Sequence, residues 1–584
     1  MLVFIRVEVA ALRNHAALSE VLQPYRTAFH FQPSKNWMNG PMYYKGVYHI
    51  FYQYNPYGAL WGNISWGHAI SYDLINWVNL DIALIPNEPY DINGCFSGSA
   101  TIFPNGEPAI LYTGADTNKH QVQNLAFPKN VSDPLLTEWV KSSLNPILSP
   151  PEGIDAMSYR DPSTAWMGQD GQWRVVIGSE LDHHGLAILY KSKDFRHWIR
   201  TSSPLHSSNK TIMWECPDFY PVSTNGKNGL DTSAIQKNIK HVLKVSFKTH
   251  DYYILGKYDP KSDKYDVDID FMDSRGSLQY DYGRFYASKS FYDGHKKRRV
   301  LWSWINEGDS ESDDNKKGWS GLQSIPRSIW LSENGDQLVQ WPVKELKKLR
   351  KRKVHYKNKE LKGGSLFQIS GITASQADVE ITFSLSNLNE AEVLSSDVVD
   401  PQILCTQKNA SVSGSHGPFG LLVLASKDLT EHTAVFFRVF RSANSFRVLM
   451  CSDQKRVGWM LVMLKLADYG SNVSAQDYFL FRRVGSSLRQ EVNKTIYGAF
   501  LVLDPRHEKI SLRTLIDHSI VESFGGDGLA CITARVYPKL AIEEQAQLYV
   551  FNNGSQSLII SSLSAWSMKK AQIVSIGKRR KHIK

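Results

Sequence analysis

The stretch SYDLINW, residues 71–77, decides how the fold is read. It runs Ser, Asp, an apolar residue and then Trp, beside a short β-like run. SDPLLTEW repeats the pattern and ends at Trp139; SKDFRHW repeats it again and ends at Trp198. These Trp positions are 62 and 59 residues apart. A later segment, SENGDQLVQW, ends at Trp341. In a chain with 16 Trp, Asp and Trp can recur by composition alone. Recurrence at a near-fixed period, with several strands per unit, points instead to propeller blades. About 320 residues at ~60 per unit make about five blades.

Around these copies, Gly, Pro, Asn and Asp break the chain roughly every ten residues. Between the breaks lie short runs such as YHIFYQY, AILYTG, WRVVIGS and LAILYKS. That pattern is all-β. KELKKLRKRK, residues 344–353, then reads as part of a short basic helical linker. From residue 361 onward alternating strands return, among them ADVEITFSL, TAVFFRVF and QLYVFN, and predict a β-sandwich. The expected division is an atypical N-terminal segment (1–25), a five-bladed propeller (26–342), a basic linker (343–360), a sandwich (361–572) and a basic tail (573–584).

A length of 584 residues fits two domains better than one. Hydrophobic residues make up 42% and charged residues 21%, enough to bury large cores. The net charge of +10 is concentrated in KELKKLRKRK and in GKRRKHIK at 577–584. Such runs are usually solvated. A partner for them is an acidic polysaccharide, since no nucleic-acid-binding pattern accompanies them. None of the five Cys forms a CxxC, and neither HExxH nor GxxxxGK[ST] occurs, which removes the common zinc and P-loop readings. No run of about 18 apolar residues exists, so no membrane partner is expected. A monomer is the expected state.

Three segments look like more than scaffold: NWMNGP near residue 39, MSYRDPST around Asp161, and IMWECPDF around Glu215. Each sets polar or acidic residues beside an aromatic near a strand end, and in a propeller such ends converge on one axial funnel. Arg160–Asp161 alone could be an ordinary ion pair. Glu215, flanked by Trp214 and Cys216, reads as a carboxyl whose apolar neighbours raise its pKa for general-acid work. Together with YRTAFHFQP, FYQYNP, WGHAISYDLINW, FSGSA, GWSGLQSIPR, DHSIVESFGG and TARVYPKL, these segments make residues 25–572 resemble plant acid invertases and fructan exohydrolases of glycoside hydrolase family 32. WECPD, with Pro217, resembles the cell-wall branch more than the vacuolar one.

The resemblance implies an all-β fold, a five-bladed β-propeller followed by a C-terminal β-sandwich, with no metal or organic cofactor. It implies retaining hydrolysis of terminal β-fructofuranosides, sucrose or fructans, by an Asp nucleophile and a Glu acid/base. Glu215 matches the acid/base. Asp161 matches the residue that grips fructose hydroxyls, with Arg160 beside it. Gln53, Trp61, Phe96 and Ser97 match the pocket wall, and Trp37 and Asn39 the rim of the nucleophile segment. Cys405 and Cys451 match a family disulfide, which suits a secreted, apoplastic or cell-wall protein; the vacuole is the alternative. MLVFIRVEVAALRNHAAL, interrupted by Arg6 and Glu8, is a poor signal peptide.

The family signature begins His-x-x-Pro, matched by His30 and Pro33, and continues Met-Asn-Asp-Pro-Asn-Gly-Pro. This chain runs Met38, Asn39, Gly40, Pro41. Asp-Pro-Asn is missing with both flanks intact, and the segment from Trp37 to Gly46 contains no acid. In plant members a very short exon encodes that tripeptide, so one skipped exon accounts for the gap. A second departure is 29 extra residues, 457–485, with no clear β pattern. They read as a retained, translated intron or as a loop insertion. The chain is therefore expected to be a β-fructofuranosidase by descent with little activity, its nucleophile absent after Asn39. The alternative is a catalytically dead fructoside-binding or regulatory homologue. VSFKTHDYY, residues 245–253, has no acid before His250 and resembles the fructan exohydrolase side. Asp517, His518 and Glu522 of DHSIVESF, and Asp73 of the opening repeat, are expected to be structural. Cys216 is expected to pack rather than react.

Overall fold

A computed structural model of the chain describes residues 23–33, 40–273, 278–395, 400–442, 445–455, 487–489 and 492–575, and the backbone of 457–462 and 480–484. Trp37, Asn39, the first 22 residues and the tail from 576 lie outside the described residues.

The repeated segment is a turn. Asp73 Oδ1 accepts the N–H groups of Ile75 and Asn76 at 3.1 and 2.9 Å. Asp194 Oδ1 does the same for Arg196 and His197 at 2.9 and 2.8 Å. Asp133 accepts from Leu135 and Thr137, both at 3.0 Å. A short carboxylate folding back on its own backbone closes the turn without help from distant residues. The Trp that follows starts the outer strand in each case: Trp77–Asn79, Trp139–Lys141 and Trp198–Arg200. Asp73 is structural, as expected.

These three turns lie in the first three of five successive sheets, each built on four antiparallel strands in chain order. Their first strands are Met42–Tyr44, Cys95–Ile102, Trp166–Met167 (extended by Tyr159–Arg160), Glu215–Ser223 and Tyr286–Asp293. The first strand of the first sheet lies against the first strand of the fifth, which closes a ring. Ile573–Ser575 then returns from the far end of the chain and pairs in parallel with Trp77–Asn79, on the outer edge of the first sheet.

The second domain is two stacked sheets. One runs Arg350–Leu361, Leu558–Met568, Gln376–Leu385, Ile510–Asp517, Ile520–Gly525, Ala530–Arg535. The other carries Phe419–Ala425, Thr433–Arg441, Phe446–Asp453 and Tyr497–Leu501. Val379, Ile381 and Phe383 of the first meet Leu421, Val435 and Phe437 of the second in one core, the expected sandwich. Cys405 and Cys451 are disulfide-bonded within it.

Two expectations need correction. The segment read as a basic linker is a linker only through one 3₁₀ turn, Lys344–Leu349. From Arg350 to Leu361 it is a twelve-residue edge strand of the sandwich. Val354, Tyr356 and Leu361 turn toward the core, while Lys351, Lys353 and Lys357 face water. Cations on an edge strand discourage pairing with another chain, so charge density here marks an edge and not a connector. The 457–485 insertion, read as lacking β pattern, contains Val457–Val462 paired antiparallel with Leu480–Val484. Residues 463–479 lie outside the described residues.

The domains share a buried polar junction. His30 Nδ1 meets Asp517 Oδ2 at 2.8 Å and His30 Nε2 meets Glu522 Oε1 at 3.1 Å, all without exposed side-chain surface. Asp517 also accepts the backbone N–H groups of residues 28, 29 and 30. DHSIVESF is thus structural, as expected, and its task is to seat the propeller on the sandwich.

A different buried pair sits in the first sheet. His49 Nδ1 and His68 Nε2 are 3.0 Å apart. Burial pushes His49 down to about 3, and burial with the neighbouring His49 pushes His68 well below the usual imidazole range. The unfolded chain takes up protons near pH 6.5, and the folded chain does not. Stability from these imidazoles is therefore complete above pH 6.5 and lost as pH falls below it, for His49 by about 1.4 kcal/mol per pH unit down to about 3, with His68 adding a loss of the same sign. Urea midpoints at pH 7 and pH 4.5 check this. The double variant His49→Gln, His68→Gln should lose less stability across that interval than the parent, and an equal loss would count against the pair.

Candidate active site

The first strands of the third, fourth and fifth sheets each break their regularity at the same end. Asp161, just after Tyr159–Arg160, has φ 67°. Cys216 has φ 47° and lies in a bulge between Glu215 and Asp218. Ala287 has φ 57° and lies in a bulge between Tyr286 and Lys289. Left-handed non-glycine residues are costly and persist only where the surroundings impose them. A bulge re-aims the side chain beside it. Here the three distortions turn Asp161, Glu215 and Tyr286 toward one another.

Arg160 joins the acids. Its Nη2 donates to Glu215 Oε1 at 2.6 Å, and its Nη1 donates to Gln121 Oε1 at 3.2 Å and to the Met157 carbonyl at 3.0 Å. Its Nε lies 3.9 Å from Asp161 Oδ2. The Tyr286 hydroxyl donates to the other oxygen of Glu215. Asp161 is set deeper, its side chain 5% exposed against 28% for Glu215. Its Oδ2 accepts the Cys216 N–H at 2.9 Å and the Cys216 thiol at 3.4 Å. Its own N–H donates to Thr113 Oγ1, from the second sheet, at 2.7 Å.

The electrostatics follow from burial and neighbours. Burial pushes the Asp161 carboxyl above its ordinary value; Arg160 opposes this and Glu215 reinforces it. Burial, followed by the Glu215 charge, holds the Tyr286 phenol well above its usual range, so it stays a donor. Burial and the Asp161 charge do the same for the Cys216 thiol. Cys216 therefore donates and packs, in line with expectation.

The expected apolar wall around Glu215 is not there. Trp214 is fully buried and points away, its ring filling the space beside Gly185, where a Cβ would lie 2.1 Å from the indole nitrogen. Its Nε1 donates to Thr211 Oγ1. Glu215 faces a guanidinium and a phenol instead. The other matched positions form a second group. Gln53 Nε2 donates to Ser97 Oγ at 2.8 Å, and Trp61 lies against Phe96 with centroids 5.4 Å apart. Trp61 remains 60% exposed, an open aromatic face. Phe96 and Ser97 sit in a bulge of the second sheet's first strand, between Cys95 and Gly98. Two residues on, Ser99 Oγ donates to the carbonyl of Pro162, which follows Asp161.

Tyr286 was not picked out from the sequence. Its segment, FYASKSFYD, resembles any aromatic strand start among 27 Tyr. As for metals, Glu307, Asp309 and Asp314 converge among the described residues. The Lys317 ammonium already fills that cluster, at 3.1, 2.7 and 2.9 Å from the three carboxylates.

The model for the glycosyl hydrolases family 32 N-terminal domain matches residues 30–342, and that for the family 32 C-terminal domain matches residues 345–567. An insoluble isoenzyme of beta-fructofuranosidase from Arabidopsis thaliana is 53% identical over 567 residues, 94% of this chain and 91% of its own. A fructan 6-exohydrolase from Beta vulgaris is 53% identical over 560 residues, 94% of this chain and 88% of its own. The crystal structure of fructan 1-exohydrolase IIa from Cichorium intybus is similar with a TM-score of 0.89 and 52% identity, covering 96% of this chain and all of that one. A Glu-to-Gln variant of that enzyme has been solved in complex with 1-kestose.

Proposed function

This chain belongs to glycosyl hydrolase family 32, and we propose that its chemistry is retaining hydrolysis of terminal β-D-fructofuranosides, of which it keeps the acid/base half and lacks the nucleophile. The observation that carries the proposal is the meeting of Glu215 and Asp161 around Arg160. Glu215, partly open to solvent, holds the place of the acid/base, which protonates the leaving oxygen as a nucleophile displaces it and then activates the water that frees the fructosyl group. Asp161 accepts hydrogen bonds from fructose hydroxyls. Arg160 balances the two negative charges, and Tyr286 orients Glu215 from the other side. Gln53, Trp61, Phe96 and Ser97 line the sugar pocket, with Trp37 and Asn39 at its rim. No Asp or Glu lies between Trp37 and Gly46 to attack the anomeric carbon.

The fructan side is favoured over sucrose by the 245–253 window. There Lys248 and Thr249, at φ 47° and 65°, make a tight turn between Ile239–Phe247 and His250–Asp259 with no acid in it. The expected place of work is the apoplast or cell wall, supported by a relative named a cell wall isozyme in Pisum sativum. Among the described residues no helix is long and apolar enough to cross a membrane. The exposed lysines of Arg350–Leu361 offer a face for acidic polysaccharide.

A second reading, fructoside binding without turnover, is favoured by the same acceptors and donors standing intact around Asp161 and Arg160. Purified chain assayed on sucrose, 1-kestose and inulin should release almost no fructose, and calorimetry should still detect 1-kestose binding. Turnover at the level of an ordinary invertase would overturn the missing-nucleophile proposal.

A further inference from the structure

Lysine is almost never fully buried unless a carboxylate pairs with it. Lys289 is an exception. It is 3% exposed, and among the described residues its ammonium makes no ion pair. It donates instead to two main-chain carbonyls, those of Pro162 at 3.3 Å and Pro217 at 3.0 Å. Pro162 directly follows Asp161, and Pro217 lies two residues after Glu215. Lys289 is also three residues beyond Tyr286 on one strand. The bulge between them is pinned by Asp251, which accepts the N–H groups of Ala287 and Ser288 at 3.0 and 2.8 Å. One strand therefore sends a phenol to the face of Glu215 and an ammonium beneath both acid-bearing turns. A neutral donor could satisfy two carbonyls at far lower desolvation cost. The charge calls for a reason.

We propose that Lys289 is a positioning residue of the fructoside site, keeping a cation behind the Asp161 carboxylate from beneath the Asp161 and Glu215 turns. This rests on the fructoside reading above. Asp161 is faced by Arg160 from its own strand, by Glu215 and Cys216 from the fourth sheet, and by Lys289 from the fifth; Lys244, on the strand beside Glu215–Ser223, faces Cys216. Burial drives the Asp161 carboxyl toward its neutral form, and Arg160 and Lys289 oppose that drive. Burial also pulls Lys289 below its ordinary value, with Lys244 acting the same way and Cys216, Asp218 and Asp161 opposing. An ionised carboxylate is the stronger acceptor for sugar hydroxyls. Loss of the Lys289 charge therefore weakens binding most at acid pH, where Asp161 protonates first.

The test is calorimetric titration of the full chain with 1-kestose between pH 5.5 and 7.5, for the parent, Lys289→Met and Lys289→Gln. The parent should keep its affinity across this range. Lys289→Met should bind about tenfold more weakly at pH 5.5 and no more than about twofold more weakly at pH 7.5, one pKa unit being a factor of ten. Lys289→Gln keeps a donor for the carbonyls and loses the charge, so it should show the same acid-side loss. No loss in either variant, or an equal loss at both pH values, overturns the proposal. If melting curves show that neither variant folds, the parent decides. A flat profile supports the proposal, and a tenfold fall toward pH 5.5 overturns it. A parent that binds no fructoside at any pH fails the fructoside reading first and takes this proposal with it.

Discussion

Inserting Asp-Pro-Asn between Asn39 and Gly40 is expected to raise turnover of 1-kestose by at least about 10⁴-fold over the unaltered chain. Retaining hydrolysis needs a second carboxyl about 5–5.5 Å from the acid/base, across the scissile bond. The flank that would receive it is already anchored. Gly40 packs so closely on the second sheet's first strand that a Cβ would come within 3.1 Å of Ala100 N and Ser99 Cα. Ser99 in turn donates to the carbonyl beside Asp161. The inserted tripeptide thus joins the chain beside the Asp161 turn, with its Asp three positions before Gly40. The gain should appear in kcat, since the nucleophile acts on the transition state, and about 10⁴-fold corresponds to about 5.5 kcal/mol of barrier. Adding Glu215→Gln to the repaired chain should abolish most of the gain. A repaired chain that stays at background, or a gain indifferent to Glu215, would show that the missing tripeptide is not what limits the reaction.

Glu522→Ala should be the most damaging single change away from the site, costing about 3–5 kcal/mol of stability. Glu522 is fully buried and accepts from Arg327 at 2.6 Å, from the Ile325 N–H at 2.7 Å and from His30 at 3.1 Å. Its removal leaves a buried guanidinium with Asp281 as its remaining carboxylate partner, and strands two donors. Urea denaturation would read the loss. Arg506→Ala, which breaks an exposed pair with Asp504, should leave the midpoint unchanged. Equal effects of the two changes would refute the account. Burial pushes the Glu522 and Asp517 carboxyls up, but Arg327 and His30 respectively outweigh it and hold them below their usual range. Burial pushes His30 down, but the bonds to Asp517 and Glu522 outweigh it and leave it raised. The carboxylates therefore contribute stability above their unfolded pKa and lose it as pH falls through their lower folded values. His30 contributes fully below pH 6.5 and loses its share as pH rises through its folded value. The junction should be firmest on the mildly acidic side of neutral.

The parts of the fold that were legible in the sequence are those made by local bonding. Asp73, Asp133 and Asp194 close their turns within four residues, so the repeat could be read directly. Asp161 and Glu215 stood out as acids in distinctive segments, and the axial funnel of a propeller gave them a place to meet. The geometry of the meeting was not legible, because it depends on left-handed backbone at Asp161, Cys216 and Ala287, residues whose types give no sign of it. Tyr286 was hidden for the same reason. The strand Arg350–Leu361 was mistaken for a linker because its inward residues, Val354, Tyr356 and Leu361, are thin among lysines. DHSIVESF was read correctly as structural, but its partner His30 lies 487 residues away, beyond any local pattern.

The short strand Ile573–Ser575 has a consequence for the order of events during synthesis. It covers the outer edge of the first sheet, with Asn79 and Ser575 in contact across 496 residues. At roughly 5–20 residues per second, a ribosome needs about 25–100 s to make the chain between them. For that time the first blade exists with a bare strand edge, the kind of surface on which nascent chains stick to one another. The chain is effectively latched by a segment made after the sandwich strands, so the propeller, complete in sequence by residue 342, matures only after the sandwich has been built.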